Sequence, residues 1–477
     1  MPGRSRPSGA ERENPAVKLT FIGGAGVRIP MFVEACIRRG PRIGLDELCL
    51  MDTDKEKLAL IGAICARIVE RAGSPFRVTL TTDPRRALAD AAHVVTTIRA
   101  GLDGGRVSDE RIALALGVLG QETTGPAGFA MALRNVPAIL RYAELLDAVS
   151  PGAWLFNFTN PAGLVVQALR HAGFERTVGI CDSANTVHRG VADWLGVSPS
   201  TLAPEVFGLN HLSWTRAVRQ DGVDRLAGLL GDPVFLATTH LRMYEPALLA
   251  QVGMAPNEYL YYFYYAERAL AEILGEERTR GEEVLAINRA LMAGLGGMDV
   301  SADPDAAVRA YRHAMARREA TYMHYAFADA PTLEAADAMQ SANEPPEPPA
   351  HGEGYAGVAL DLIEALGRGT AVHTAVNVPN NGAITGMEAA DVVEVSCAVD
   401  RSGVMPVAIG EIPEPQLQLM RAVKLYERLT VEAIAERSRP LATAALMAHP
   451  LVLSYSRAQA LVDAYLAANR EFGGDWH

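Results

Sequence analysis

The sequence predicts an α/β protein: a doubly wound parallel sheet in the first half, then a mainly helical α+β region. Three observations predict it. Between Val17 and about residue 205, short apolar runs alternate with helix-period segments, as in parallel strands joined by helical crossovers. Those runs end in polar residues, and ligands of such sheets collect at the carboxyl ends of the strands. Beyond residue 205 the alternation fades and long helical stretches take over.

The elements follow in chain order. Residues 1–16 are rich in Pro, Gly, Ser, Arg and Glu; with almost no large apolar groups to offset the entropy of ordering, they predict a disordered tail. VKLTFIG, GGAGVRIP and MFVEACIRR then read as strand, turn and helix. A second strand, LDELCLMD, closes on Asp52 and leads into the helix KEKLALIGAICARIVERAG. AHVVTTI, near residues 92–98, is a third strand, and AWLFNFT before Asn160 and TVGICD around Cys181 supply two more. Residues 17–205 thus form a Rossmann-type domain. Residues 206–477 form the second domain, with EYLYYFYYAERALAEILGEE and PDAAVRAYRHAMARREATYMHYAFA as helices. The Pro- and Glu-rich stretch 341–354 reads as a surface connection.

Composition narrows the function. Of 477 residues, 49% are hydrophobic and 21% charged, enough for a large core. The net charge of -12 repels phosphate backbones and anionic membranes, so neither nucleic acid nor a membrane is an expected partner. No run of about 18 apolar residues occurs, and the amino-terminal stretch has no apolar core of an export signal. Five scattered cysteines fit a reducing cytoplasm.

Gly23, Gly24 and Gly26, between a strand and a helix, would let backbone approach a pyrophosphate. Asp52, at the end of the next strand, is placed to hold an adenosine ribose, and with no arginine beside it favours NAD over NADP. A merely structural turn is the other reading. Cys181 and His211 could face one crevice, but two ligands are too few to name a metal; a small buried thiol and a hydrogen-bonded loop histidine are the reading that their chemistry alone favours. Asn160 could begin a tight turn or aim its amide into the crevice. Most of the five tyrosines between Tyr259 and Tyr265 should pack in the core. Arg99, Arg106 and Arg280 are candidate anion clamps or surface charges.

Together, FIGGAG, Asp52, IRAG with Arg99, GQETTGPAG, FTNPAG, GICD, GLNH, the tyrosine helix with TRGE after it, and NVPNNGAI resemble glycoside hydrolase family 4, over nearly the whole chain from Val17 to about Tyr465. The resemblance implies a glycosidase that uses NAD and a divalent cation, commonly manganese, in place of two carboxylates. It implies oxidation of the sugar at C3, removal of the C2 proton, elimination of the aglycone, water addition and return of the hydride. By the same resemblance Cys181 and His211 hold the metal, Tyr259 is the base and Asp182 the acid. Asn160, Arg280 and Arg99 would bind substrate, and residues 206–477 would serve substrate, metal and oligomerisation. Asp182 matches the α-glucoside branch, where many β-branch members carry Asn, whereas RAGLDGGR and NVPNNGAI lean to the 6-phospho-β-glucosidases.

The expected partner is a small glycoside, with or without a 6-phosphate, and the expected assembly a homodimer or homotetramer. In many family members Ser or Thr precede the proline of the glycine turn; here Arg28 and Ile29 do. Arg28 could add an anion contact, or the pocket could take an unphosphorylated sugar. A thiolate with an imidazole would by itself suit zinc; only the resemblance points to manganese. An α-glucosidase or α-galactosidase, a 2-hydroxy-acid dehydrogenase (the resemblance implies an architecture like that of lactate and malate dehydrogenases) and a non-catalytic NAD sensor are the alternatives.

Overall fold

The computed structural model describes residues 17–300, 302–327, 354–369 and 371–477. The tail expected over 1–16, and all but Gly354 of the connection expected over 341–354, lie outside the described residues. Six strands are parallel: β1 (Val17–Ile22), β2 (Leu45–Met51), β3 (Arg77–Thr81), β4 (His93–Thr96), β5 (Trp154–Asn157) and β6 (Thr177–Gly179). Their spatial order, β3-β2-β1-β4-β5-β6, reverses between β1 and β4, and ligands bind at such a reversal. β3 was not foreseen, because RVTLT is a half-exposed edge strand without an apolar run. Helices cover the sheet, Ile29–Ile43 after the glycine turn among them.

The sheet does not stop at residue 205. After the hairpin β7 (Ala203–Leu209) and β8 (Leu212–Gln220), and the short strands β9 (Val223–Asp224) and β10 (Ala255–Pro256), come β11 (Val372–Pro379), β12 (Val392–Asp400) and β13 (Gly403–Pro406). The last three continue the first sheet antiparallel from β6, making nine strands. At the junction Asn377 pairs with Gly179, where a Cβ would sit 2.7 Å from that of Asn377. The hairpin belongs to a smaller sheet with β9 and β10. It is tied to β12 by Ser396, whose hydroxyl accepts from Val206 N–H (2.9 Å) and donates to Pro204 C=O (2.8 Å).

One buried cation supports the loop after β4. Arg134, fully buried on the helix Ala127–Val149, forks onto Asp109 and donates from Nε to Ala100 C=O (2.8 Å) and from Nη1 to Asn469 Oδ1 (2.7 Å). Gly101, at φ +83°, lies so close that a Cβ would come within 2.8 Å of Nε, so the end of the loop after β4 and the start of the helix Leu102–Ala115 rest directly on the guanidinium. Replacing Arg134 by Leu should cost about 3–5 kcal/mol by stranding Asp109 in the core. The denaturant midpoint checks this, and R134L/D109L should recover most of the loss.

Burial also fixes a pH dependence. His93 of β4, against Phe156 of β5, is held to about 4 by desolvation. The unfolded chain takes up that proton near pH 6.5, so this contribution to stability is present above pH 6.5 and is lost as pH falls towards 4. H93F should flatten that limb, as read from urea midpoints across the window.

Candidate active site

At the carboxyl ends of β1, β4, β5 and β6 opens a cavity of about 1510 Å³. Every site residue singled out from the sequence lines it except Gly24. Gly24 instead packs on β2: a Cβ there would lie 2.8 Å from Leu50 Cβ and from Met51 N. Its place is behind the turn, keeping turn and sheet in contact. Gly23, at φ +99°, and Gly26 line the cavity. The Asp52 carboxylate accepts from Ala25 N–H (3.0 Å) and Asp54 N–H (3.1 Å), which fixes it at the mouth of the turn with lone pairs to spare. A dinucleotide fits this arrangement of bare turn and anchored carboxylate.

Cys181 lies just past β6, and His211 sits at the tip of the β7–β8 hairpin. The structure brings Sγ and Nε2 to 3.6 Å. A metal about 2.3 Å from a thiolate and about 2.0 Å from an imidazole, at a tetrahedral angle, separates its donors by about 3.5 Å, so the pair fits one cation. His211 holds φ +62° while 6% exposed, a left-handed conformation unusual for a non-glycine residue. Next to it, Asn210 donates to Glu394 Oε1 (3.2 Å), which also accepts from Asn377 (3.2 Å); Ser213 donates to Oε2 (2.9 Å). Burial pushes Glu394 up to about 7 and His211 down to about 4, and pushes the Cys181 thiol up, with Asp182 and Glu394 adding to the last. Among the described residues, no three or more His, Cys, Asp or Glu gather into a metal-holding group.

Tyr259 lies flat on His211, ring centroids 3.7 Å apart and planes 8° apart. The expected continuous helix is broken here. Tyr259 belongs to the 3₁₀ turn Glu258–Leu260, capped by Asn257, with short helices Tyr261–Tyr264 and Ala266–Gly275 behind it. Its hydroxyl accepts from Tyr322 (2.8 Å). Burial, then the charges of Glu258 and Cys181, push the Tyr259 phenol well up, so a base at this position needs positive charge beside it. Asp182 lines the cavity one residue beyond Cys181. Asn160 does so too, its carbonyl held by Asn135 Nδ2 at 2.7 Å.

The arginines divide into two groups. Arg99 and Arg106 both pair with Glu122 (2.6 and 2.7 Å), and Arg106 also with Glu110 (2.7 Å). Against burial, Arg106 and Arg99 hold the Glu122 carboxyl well below the usual range. Arg28, Arg280 and Arg318 line the cavity with no carboxylate of the described residues within ion-pair distance. Among the described residues Arg280 donates to Thr321 Oγ1 and Arg318 C=O. Arg28 is exposed and lines the cavity, where, against burial, the charge of Asp182 raises its guanidinium. Burial and then the charges of Arg28, Arg99, Arg106 and Arg280 drive the Arg318 guanidinium well below its ordinary value.

Sequence reasoning missed Glu122, Arg318, Tyr322 and Tyr355, all on the cavity wall. Glu122 stands inside GQETTGPAG and could have been found as the partner those arginines required. Arg318, Tyr322 and Tyr355 carry no local motif, and only the fold delivers them.

The chain is similar to known proteins over most of its length. Residues 18–197 match the family model described as family 4 glycosyl hydrolase, and residues 206–452 that of the family 4 glycosyl hydrolase C-terminal domain. A Bacillus subtilis (strain 168) protein named probable 6-phospho-beta-glucosidase is 31% identical, over 96% of this chain and 97% of its own. A maltose-6'-phosphate glucosidase of the same organism is 26% identical, over 95% and 96%. The Thermotoga maritima 6-phospho-beta glucosidase, solved with manganese, NAD+ and glucose-6-phosphate, superposes with a TM-score of 0.78 at 27% identity, covering 96% of this chain and 99% of that one. Among the described residues no helix is long and apolar enough to cross a membrane.

The packing of Gly24 can be tested by overfilling it. Gly24→Ala should cost about 1–3 kcal/mol, the usual penalty for forcing a methyl into a filled site, as measured by chemical denaturation.

Proposed function

We propose, from the premise that this chain belongs to family 4 of the glycosyl hydrolases, that this glycosidase cleaves a 6-phosphorylated glucoside with NAD and a divalent cation, manganese as in the Thermotoga structure. The observation that carries the phosphorylated substrate is the trio Arg28, Arg280 and Arg318, three cations on the cavity wall with no carboxylate of the described residues within ion-pair distance. A dianion is the ligand such a cluster favours. The 2-hydroxy-acid dehydrogenase and sensor readings are set aside by family membership. A cytoplasmic location belongs to the same proposal, supported by the thiols of Cys49, Cys65, Cys181 and Cys397, none in a disulfide.

Gly23, Gly26 and Asp52 would hold NAD, and Cys181 and His211 the cation. Bound there, the two groups supply transient oxidation at C3 and charge stabilisation beside C2. Tyr259, locked by its stack on His211, takes the C2 proton as a phenolate and becomes the phenol, and the Tyr322 hydroxyl, donating to its oxygen, steadies that phenolate before the transfer. Asp182 protonates the departing aglycone oxygen. Asn160 orients the sugar, and the arginine trio grips the phosphate at its far end. Glu122 holds Arg99 and Arg106 in place and keeps them from adding to the trio's unbalanced charge.

The 31% identical relative supports a β-linked substrate. Asp182 favours the second reading, an α-linked one, since it stands where many β-branch members carry Asn.

A panel of nitrophenyl α- and β-glucosides, free and 6-phosphorylated, tests the proposal. Nitrophenol release should require the 6-phosphate, NAD and manganese, stop on chelation, and leave no net NADH. Equal turnover of free and phosphorylated glucosides would defeat the phosphate assignment. Arg28→Ser should raise KM for the phosphorylated substrate about 10–100-fold, the loss of one charge-assisted hydrogen bond, with a smaller effect on kcat.

A further inference from the structure

We infer that Gln121 and Thr123 fix which nitrogen of His211 carries the proton, so that Nε2 always presents a bare lone pair towards Cys181. The inference rests on the proposed reading that Cys181 and His211 hold the cation, and it makes Gln121 and Thr123 positioning residues.

The argument is a count of donors and acceptors. Gln121 Oε1 accepts from the backbone N–H groups of Thr123 (2.8 Å) and Thr124 (2.6 Å). Two N–H donors on one atom identify that atom as the amide oxygen, which has no proton to give. The Thr123 hydroxyl lies 3.2 Å from the same oxygen, so there it must be the donor. Having given its proton to Gln121, it can only accept from His211 Nδ1, 2.7 Å away. His211 Nδ1 therefore carries the hydrogen and Nε2 the lone pair.

The opposite arrangement fails on the same count. A Thr123 hydroxyl donating to Nδ1 would set two oxygen lone pairs against each other at 3.2 Å. It would also place an N–H on Nε2, aimed at the sulfur 3.6 Å away. Orienting partners behind a metal-bound imidazole govern its affinity, typically by about 10–100-fold. The GQETTG run thereby acquires a role, since Gln121 folds back on its own backbone so that the threonine two residues on faces the imidazole as an acceptor.

The test uses the full-length, metal-free protein with NAD present, titrated with Mn2+ and read by the electron paramagnetic resonance of the free ion. Thr123→Val, which keeps the shape and loses the hydroxyl, should weaken Mn2+ binding about 10–100-fold. Thr123→Ser should restore it, and NAD affinity should be unchanged in both. Binding by Thr123→Val within twofold of wild type overturns the inference. If His211→Gln retains full Mn2+ binding, the underlying metal assignment fails first, and the inference with it. Nitrogen-15 imidazole spectra of the metal-free wild type give a readout that needs no variant to fold: His211 protonated at Nδ1 supports the inference, and protonation at Nε2 overturns it.

Discussion

A sulfur and an imidazole nitrogen 3.6 Å apart set the terms for the rest of the molecule. Cys181 follows the last parallel strand, whereas His211 rides on a hairpin of a different sheet. What holds the two segments in register is a detour through the distant end of the chain. β11 pairs with β6 at Gly179, β12 pairs with β11, and Ser396 of β12 fastens β7. The hairpin tip then bears two costs, a left-handed histidine and a carboxylate beneath it. The carboxylate, Glu394, is offset by three side-chain donors. Strain of this kind persists only where surrounding structure over-determines it, and the added strands supply that structure.

Charge is arranged with the same economy. A wall with Arg28, Arg99, Arg106, Arg280 and Arg318 all unbalanced would repel itself strongly. Glu122 and Glu110 pair with Arg99 on the loop and Arg106 on the helix Leu102–Ala115, and the other three have no carboxylate of the described residues within ion-pair distance. The pairing also stiffens the loop, which is anchored from below by Arg134 on Asp109. Rigid cations separated from free ones are what a site needs to accept an anion without first rearranging its own salt bridges.

Much of this was legible in the sequence, for a physical reason. Parallel strands buried on both faces are apolar runs, so β1, β2, β4, β5 and β6 announced themselves, and residues just past their ends fell on the cavity. The half-exposed β3 lacked that signal. The union of β11–β13 with the first sheet is a long-range pairing that no local pattern encodes, and so a boundary at residue 205 looked cleaner than the sheet makes it. Gly24 shows the limit of motif reading: three glycines in one turn do different work, and only the distance to Leu50 separates packing from lining. The tyrosine run read as one helix because tyrosine spacing is indifferent to the break at Tyr265, where φ is -128°.

Two protein donors are few for a cation. On the proposed assignment that sparseness has a function. A structural site closes its coordination shell with protein atoms, whereas a catalytic one leaves positions open. With a thiol and an imidazole as the donors among the described residues, the remaining positions would be open to water and to hydroxyls of the sugar. The cation and the sugar then complete one another's sites, and whatever each gains from the other's presence must be equal in both directions. The flat stack of Tyr259 on His211 extends this coupling to the base, because any shift of the imidazole on binding moves the phenol with it. Ion, sugar and base thus share one rigid pivot. It has to be buried and over-determined, since a loose His211 would loosen all three at once.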